Sequence, residues 1–175
     1  MAGPPANPAP ARPTRIDVDL DAVAHNVSAL RARVAPSALW AVVKADGYGH
    51  GAAPVARAAL EAGAAWLGVA LVEEGIALRN AGIDAPVLVL SEPPRAAADA
   101  VVAHGLTPTV YTATGIEGLA KAVADAGPAD PLGVHLKVDT GMTRVGCSVE
   151  DAPDLVEAIS ARPELVLGGI CTHLA

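Results

Sequence analysis

Apolar residues recur along this chain in two alternating patterns, one typical of amphipathic helices and one typical of buried strands. From Leu20 to Val34 they fall three or four residues apart, and Pro36 follows, which predicts a helix over 20–34. Short continuous runs of Val, Leu and Ile are typical of strands buried on both faces, as in parallel sheets. Such runs predict strands at 40–45, 66–71, 86–91, 106–111, 132–139 and 165–175. Helical spacing predicts helices at 52–62, 72–81, 94–103, 114–126 and 149–161. Before the first helix, IDVD at 16–19 is a further strand-like run.

These repeated strand–helix units predict an α/β fold. Successive units of about 20–30 residues are compatible with a doubly wound sheet or with a (β/α)₈ TIM-type barrel. No G-x-G-x-x-G fingerprint follows the first strand, and GYGHG at 47–51 fits neither that fingerprint nor a Walker A loop. The barrel is therefore favoured. A barrel needs eight strands and the pattern supplies about six, so we expect it to be incomplete in this chain.

Composition excludes several classes of protein. Of 175 residues, 52% are apolar and 18% charged, which predicts a folded domain, and the net charge of −7 without a basic cluster argues against a nucleic-acid partner. No apolar run approaches the length of a membrane-spanning helix. Residues 1–14, rich in Pro and Ala, are expected to be a flexible tail without the apolar centre of a secretory signal. Cys147 and Cys171 show neither metal-ligand nor disulfide spacing, so we expect no metal site and a reducing compartment.

Lys44 lies at the end of the predicted strand 40–45, where reactive groups collect in parallel α/β folds. One interpretation is a lysine that extends from a strand end to solvent. The other is a reactive amine, because DGYGHG at 46–51 predicts a tight turn that brings backbone N–H groups and a tyrosine hydroxyl close to it. An apolar setting favours the neutral amine, the form that makes Schiff bases. We therefore expect Lys44 to carry a cofactor.

The segment HLKVDTGMTRVG contains a second group of candidates. Lys137 lies two residues from Asp139, and Arg144 follows a turn, from which it could donate to a cofactor oxygen or to a carboxylate. A solvated Lys–Asp pair at the rim of a barrel is the alternative for Lys137 and Asp139.

A third candidate, His173, ends the last predicted strand. It is either a satisfied core histidine or a group that meets Lys44 and Arg144 on one face of the sheet. The acidic pair Glu73-Glu74 is interpreted only as the first turn of a helix, where carboxylates are favourable.

Together these segments closely resemble the alanine racemase family, whose members use pyridoxal 5′-phosphate. AVVKADGYGHG resembles the family's cofactor-lysine signature, and the other family blocks resemble, in chain order, RPTRIDVDLDAVAHNV, VALVEEGIALRNAGIDAPVLVL, HLKVDTGMTRVG and GGICTHLA. The resemblance covers about residues 12–175. It implies a cytoplasmic homodimer that interconverts L-alanine and D-alanine and supplies D-alanine for peptidoglycan.

The resemblance also implies roles around the cofactor. Lys44 would form the Schiff base with pyridoxal 5′-phosphate and act as an acid/base catalyst on the D-alanine face. Tyr48 would bond the cofactor phosphate, Leu90 would line the cofactor ring, and His173 would lie near that ring. No metal is implied.

Two more roles follow from the same resemblance. Arg144 would donate to the phenolic oxygen of the cofactor and help to seat the substrate carboxylate. Lys137 corresponds to a lysine that is carbamylated in many members and orients that arginine.

Family members are about twice as long as this chain, and their remaining part supplies a C-terminal β domain. It also supplies a catalytic tyrosine, contributed by the partner subunit, for the L-alanine face.

Other functions compete with this expectation. A non-catalytic pyridoxal-phosphate carrier barrel would have a strand-end lysine too, but it lacks the GYGHG turn and the KVDTGM…R block. A Schiff-base aldolase barrel does not predict a Tyr-Gly-His-Gly turn beside the lysine.

Residues 15–175 are thus expected to be the N-terminal part of a racemase barrel. We expect the isolated 175-residue chain to be inactive, because an open six-stranded sheet leaves its edges unpaired.

Overall fold

The structure is a computed structural model that describes residues 14–127 and 130–175. The tail predicted at 1–14 lies almost entirely outside the described residues. The helical segments are α1 (Leu20–Val34), α2 (Lys44–Tyr48), α3 (Ala52–Glu61), α4 (Val72–Asn80), α5 (Ala98–Ala103), α6 (Ala113–Ala126) and α7 (Ala152–Ser160). The strands are β1 (Trp40–Val42), β2 (Trp66–Val69), β3 (Val87–Val89), β4 (Thr107–Val110), β5 (Leu132–Lys137) and β6 (Leu165–Cys171). A single 3₁₀ turn, Arg95–Ala97, precedes α5.

The strands form one parallel sheet whose spatial order follows the chain, from β1 to β6 without a reversal. A doubly wound sheet reverses its strand order at a switch point, whereas a barrel adds every strand on the same side of the previous one. The sequential order therefore excludes the doubly wound alternative and confirms the predicted barrel-type α/β fold with six strands.

The sheet is rolled, because side chains from distant strands meet on its inner face. The ring of Trp40 in β1 stacks on Trp66 in β2, with centroids 4.6 Å apart. The ring centroid of His135 in β5 lies 5.5 Å from that of Trp40 and 5.9 Å from that of Trp66. In a flat sheet, β1 and β5 would be separated by four strand spacings, roughly 19 Å. The contact therefore requires the sheet to curve into an open barrel.

The hydrophobic core lies between the outer face of the sheet and the helices. Valines and leucines of β2 to β5 point outward and are almost fully buried, and the helices cover them with leucine, isoleucine and alanine. The fully buried members include Leu67, Val69, Leu78, Val87, Val89, Val101, Val110, Ile116, Val134, Leu136 and Ile159. Central strands buried on both faces explain why they appear in the sequence as continuous apolar runs.

Two predictions about strands are corrected by the structure. IDVD is not a strand: Ile16 is 89% exposed, and the described sheet provides no neighbour to bond this segment. Asp19 instead caps α1 by accepting the N–H of Ala22 at 3.0 Å. The strand predicted at 40–45 was expected to be buried, but β1 ends at Val42, which is 44% exposed because β1 forms an edge of the six-stranded sheet.

Arg79 of α4 fastens two connections at the N-terminal end of the sheet. Its guanidinium donates to the carbonyl oxygens of Ile83 and Ala85 at 2.7 and 2.8 Å, in the connection from α4 to β3. It also donates to the carbonyl oxygens of His104 and Gly105 at 3.0 and 3.1 Å, in the connection from α5 to β4. Burial lowers the pKa of Arg79 from its ordinary value, and the nearby Asp84 opposes that change. One side chain thus satisfies four backbone acceptors.

Candidate functional site

Four of the predicted site residues lie at or just beyond the C-terminal ends of strands. Lys44 follows β1, Leu90 follows β3, Lys137 is the last residue of β5, and His173 follows β6. Because all the strands are parallel, these ends lie along the same edge of the sheet, where reactive groups of barrels are found. Lys44, Leu90 and Lys137 are half-buried, and His173 is exposed.

Lys44 begins a left-handed turn rather than an ordinary helix. The φ angles of Ala45, Asp46, Gly47 and Tyr48 are 51°, 52°, 62° and 57°. Left-handed geometry places a β-carbon against the following carbonyl oxygen, which costs roughly 1–2 kcal/mol for each residue other than glycine. Such strain persists only where the surrounding structure holds it, and it clusters at functional sites. The tight turn expected after Lys44 is therefore confirmed, and it is strained.

Two carboxylates hold this turn in place. Asp46 Oδ1 accepts the N–H of Ala52 at 2.7 Å and so caps α3. Glu74 Oε1 accepts the N–H of Ala45, the residue next to Lys44, at 2.6 Å. The sequence interpretation of Glu74 as only an acidic first turn is therefore incomplete. Its partner lies 29 residues away in the chain, where no local pattern reveals it.

The amine of Lys44 lies beside the ring of Tyr48. Lys44 Nζ is 5.9 Å from the ring centroid, and the tyrosine is 62% exposed. A cation at this distance from an aromatic face is attracted to it. The left-handed turn thus returns the chain so that these two predicted site residues are in contact.

An apolar surface lies on the inner face of the sheet, near the end of β1. A β-carbon added to Gly68 would stand 3.3 Å from Val42 Cγ2 and 3.5 Å from Leu90 Cδ1. These two side chains therefore converge over Gly68, which has no side chain of its own to separate them. Leu90 is half-buried there. An apolar surface two residues before Lys44 suits the apolar part of a ligand held there.

The loop 139–146, which carries Arg144, is closed at its base. Cys147 N–H donates to the carbonyl of Lys137 at 2.9 Å, and Asp139 N–H donates to the carbonyl of Cys147 at 2.8 Å. Gly146 is required there, because a β-carbon on it would lie 2.7 Å from the Asp139 nitrogen. Arg144 itself is exposed at the tip. The loop therefore presents its arginine from a fixed base at the end of β5.

Asp139 orders the same loop from inside. Its Oδ1 accepts the N–H groups of Gly141 and Thr143 at 2.9 and 3.0 Å. These two donors, Gly141 first, hold the pKa of Asp139 below its ordinary value because they favour the charged carboxylate. The sequence alternative of a Lys137–Asp139 ion pair is wrong, since no such pair lies within 4.0 Å in residues 14–127 and 130–175.

Replacing Asp139 with alanine is expected to loosen the loop that carries Arg144. Because the folded pKa is lowered, the order that Asp139 provides is present above the unfolded pKa of about 4. It is lost as the pH falls through the folded value. Amide exchange of Gly141 and Thr143 should therefore be faster in Asp139→Ala near neutral pH, and the native protein should approach the variant only in acid. Asp99→Ala, an exposed control, should leave both amides protected; equal exchange in all three proteins would contradict the assignment.

Three cations at this edge have no acidic partner. Lys44, Lys137 and Arg144 lack a carboxylate within 4.0 Å among the residues that the structure describes. The carboxylates of Glu74 and Asp139 are instead occupied by backbone N–H groups. Because no carboxylate pairs with them, these three side chains are available to contact an anionic ligand at this end of the sheet.

The ends of β5 and β6 are linked near His173. The hydroxyl oxygens of Thr140 and Thr172 lie 2.7 Å apart, which ties the loop carrying Arg144 to the segment carrying His173. Lys137 pairs in register with Cys171. Burial raises the pKa of the Cys171 thiol, and the positive charge of Lys137 opposes that change.

His135, inside the barrel, is a candidate site residue that the sequence analysis did not identify. It is 8% exposed, and this burial lowers its imidazole pKa, which favours the neutral ring. Thr109, its partner in register on β4, is fully buried, and its hydroxyl has no hydrogen-bond partner within the described ranges. The signal in the sequence was strand alternation, which places His135 on the same face as Lys137 two residues later.

The described residues contain neither a cluster of metal ligands nor a membrane-spanning helix. Across 14–127 and 130–175, His, Cys, Asp and Glu side chains do not gather in any group of three or more that could hold a metal ion. None of the helices in this part of the chain combines the length and apolar character needed to cross a bilayer.

Comparison with known proteins gives a consistent family. The sequence model described as "Alanine racemase, N-terminal domain" matches residues 18–175. The chain is 46% identical over 168 residues to the alanine racemase of Symbiobacterium thermophilum, covering 94% of this chain and 43% of that protein. It is 42% identical over 170 residues to the alanine racemase of Sorangium cellulosum, covering 94% and 45%. The chain thus spans less than half the length of these relatives.

Solved structures agree with the sequence relatives. The alanine racemase from E. faecalis superposes with a TM-score of 0.88 and 40% identity, covering 94% of this chain and 44% of that chain. A histidine racemase from Leuconostoc mesenteroides subsp. sake superposes with a TM-score of 0.82 and 30% identity, covering 89% and 42%. The described fold is therefore similar to the N-terminal barrel portion of amino-acid racemases.

Proposed function

Because this chain belongs to the alanine racemase family, in its N-terminal domain, we propose that it provides the cofactor lysine and one base of an alanine racemase. The observation that carries the proposal is the position of Lys44: it begins a strained turn beside the apolar surface over Gly68, at the same edge of the sheet as the loop that carries Arg144. An anionic, planar cofactor such as pyridoxal 5′-phosphate fits that combination. By the family resemblance, the protein would act in the cytoplasm and supply D-alanine for peptidoglycan.

Lys44 would bind the cofactor covalently. Its side-chain amine is the group that would attach to the aldehyde of pyridoxal 5′-phosphate. The bound cofactor supplies an electron sink for the electron pair left at Cα when an amino acid loses its α-proton. Lys44 would hold that proton as a general base and return it to Cα as a general acid.

The residues around Lys44 would hold the cofactor and the substrate. Tyr48, in contact with the Lys44 amine, would donate its hydroxyl to the phosphate. Leu90 would pack against the ring from the surface over Gly68. His173 would lie near that ring, at the end of β6.

Arg144 would donate to the phenolic oxygen of the cofactor and to the substrate carboxylate. A guanidinium is suited to this role because its planar N–H groups match carboxylate oxygens. Carbamylation of Lys137 would convert a half-buried cation into an anion and so orient Arg144. Residues 15–175 would then form the cofactor-binding part of the barrel.

Racemisation needs a base on each face of the planar carbon, because a single group cannot efficiently deliver a proton to the opposite face. By the family resemblance, the second base is a tyrosine of the partner subunit in a homodimer, in the part of the relatives that this chain does not cover. Racemisation of an amino acid bulkier than alanine is the second candidate function, since a histidine racemase is among the similar structures.

Reductive trapping tests the attachment. The protein is produced from its gene as the organism encodes it and incubated with pyridoxal 5′-phosphate. It is then reduced with borohydride, digested and mapped by mass spectrometry. We expect the label on Lys44 and not on Lys121, an exposed lysine of α6. A label found elsewhere, or no label, would contradict the proposal.

Racemisation itself is measured by chiral analysis and by exchange of the α-proton with deuterated solvent. With L-alanine we expect both signals, and comparison with L-serine and L-histidine gives the substrate class. Labelling of Lys44 without α-proton exchange in any of them would favour the non-catalytic carrier instead.

A further inference from the structure

Glu74, in the first turn of α4, makes three hydrogen bonds that join two neighbouring loops. Its Oε2 accepts the N–H groups of Ala70 and Leu71 at 2.7 and 3.1 Å, within its own connection from β2 to α4. Its Oε1 crosses to the preceding connection and accepts the N–H of Ala45 at 2.6 Å. One carboxylate therefore clamps the end of β1 to the start of α4.

The contact with Ala45 fixes the peptide unit that joins Lys44 to Ala45. The four residues 45–48 have positive φ angles, and the backbone alone does not favour that geometry. Gly47 N–H returns to the carbonyl of Val43 at 2.9 Å, so the turn closes directly around this peptide. A charge-assisted bond from outside the turn is suited to stabilising such a strained segment.

We propose that Glu74 is a positioning residue for Lys44, whose carboxylate fixes the strained turn so that the lysine amine is presented to the cofactor aldehyde. Glu74 acts through the backbone of Ala45. This inference rests on the proposed function, since it takes Lys44 as the attachment point.

Glu92 offers a matched control. Its carboxylate accepts the N–H groups of Tyr111 and Thr112 at 2.6 and 2.9 Å, and the Thr112 hydroxyl at 2.6 Å. It thus joins the loop after β3 to the loop after β4 with the same number of bonds, but it does not contact the turn that carries Lys44. Removing either carboxylate loosens one inter-loop clamp, and only one of the two clamps holds Lys44.

The test compares Glu74→Gln and Glu74→Asp with Glu92→Gln and with Glu73→Gln, an exposed neighbour on α4. Gln leaves a single acceptor oxygen for three donors, and Asp shortens the side chain. Three quantities are measured on the protein as its gene encodes it. They are the midpoint of thermal unfolding, amide exchange across residues 44–51 without cofactor, and the dissociation constant of pyridoxal 5′-phosphate, followed by the absorbance of the bound cofactor.

We expect both Glu74 variants to exchange faster over 44–51 and to weaken cofactor binding by about tenfold to a hundredfold, the loss of a hydrogen bond to a charged group. Glu92→Gln should lower the midpoint of thermal unfolding as much as Glu74→Gln does, because each loses one inter-loop clamp, but its amide exchange over 44–51 and its cofactor affinity should stay native. Glu73→Gln should change none of the three quantities. Native exchange and affinity in the Glu74 variants, or equal losses in Glu92→Gln, would overturn the inference. If the native protein itself is not labelled at Lys44, the proposed function fails, whereas the exchange readout still reports on the clamp.

Discussion

Replacing Lys44 with alanine is expected to remove covalent cofactor binding and to reduce racemisation by at least about 10³-fold. No other lysine lies within the left-handed turn, and the variant lacks both the attachment point and the base for one face of the substrate. The measurements are the visible absorbance of the lysine-bound cofactor, the borohydride-trapped peptide and α-proton exchange.

This variant is also expected to remain folded. In the described residues the Lys44 amine makes no ion pair, and its contact with the Tyr48 ring contributes only about 0.5–1 kcal/mol. Its unfolding midpoint should therefore stay close to that of the native protein.

Two control variants separate charge from chemistry. Lys44→Arg keeps the positive charge and cannot form the C=N bond, so it should be as inactive as the alanine variant. Lys121→Ala removes an exposed lysine that pairs with Asp125 and should behave like the native protein. An unchanged absorbance spectrum in Lys44→Ala would refute the assignment.

The second large effect is expected on stability, from Arg79→Met. Methionine keeps much of the aliphatic packing of Arg79 but leaves four carbonyl acceptors without their donor. Losing several hydrogen bonds to one charged group should lower the free energy of unfolding by about 2–4 kcal/mol, or the midpoint by roughly 5–15 °C. The check is thermal and urea unfolding followed by circular dichroism.

Graded variants show whether the four bonds are the cause. Arg79→Lys keeps the charge, but a single ammonium cannot reach both connections, so an intermediate loss is expected. Arg33→Met removes an exposed arginine from α1 and should leave stability within about 0.5 kcal/mol of the native value. If Arg79→Met and Arg33→Met unfold at the same midpoint, the bonds to the two connections contribute nothing.

The sequence alone determined the succession of elements. Buried parallel strands must be apolar on both faces and helices must be apolar on one, so continuous Val and Leu runs and the three-to-four-residue spacing located β2 to β5 and α6 correctly. Lys44 became a candidate in the same way, because a lysine at a strand end before DGYGHG is a local feature, and its role stays a prediction. Bounds were less accurate: the predicted strand 40–45 ends at Val42, where the left-handed turn replaces it.

Only the tertiary structure decided which polar groups act on one another. Asp139 turned out to bind the backbone of its own loop instead of Lys137, and Glu74 turned out to bind Ala45 across 29 residues. The contact of His135 with Trp40 likewise follows from the curvature that brings β1 and β5 together. Periodicity reports which face a residue occupies, whereas hydrogen-bond partners depend on distances between segments that the chain brings together only when it folds.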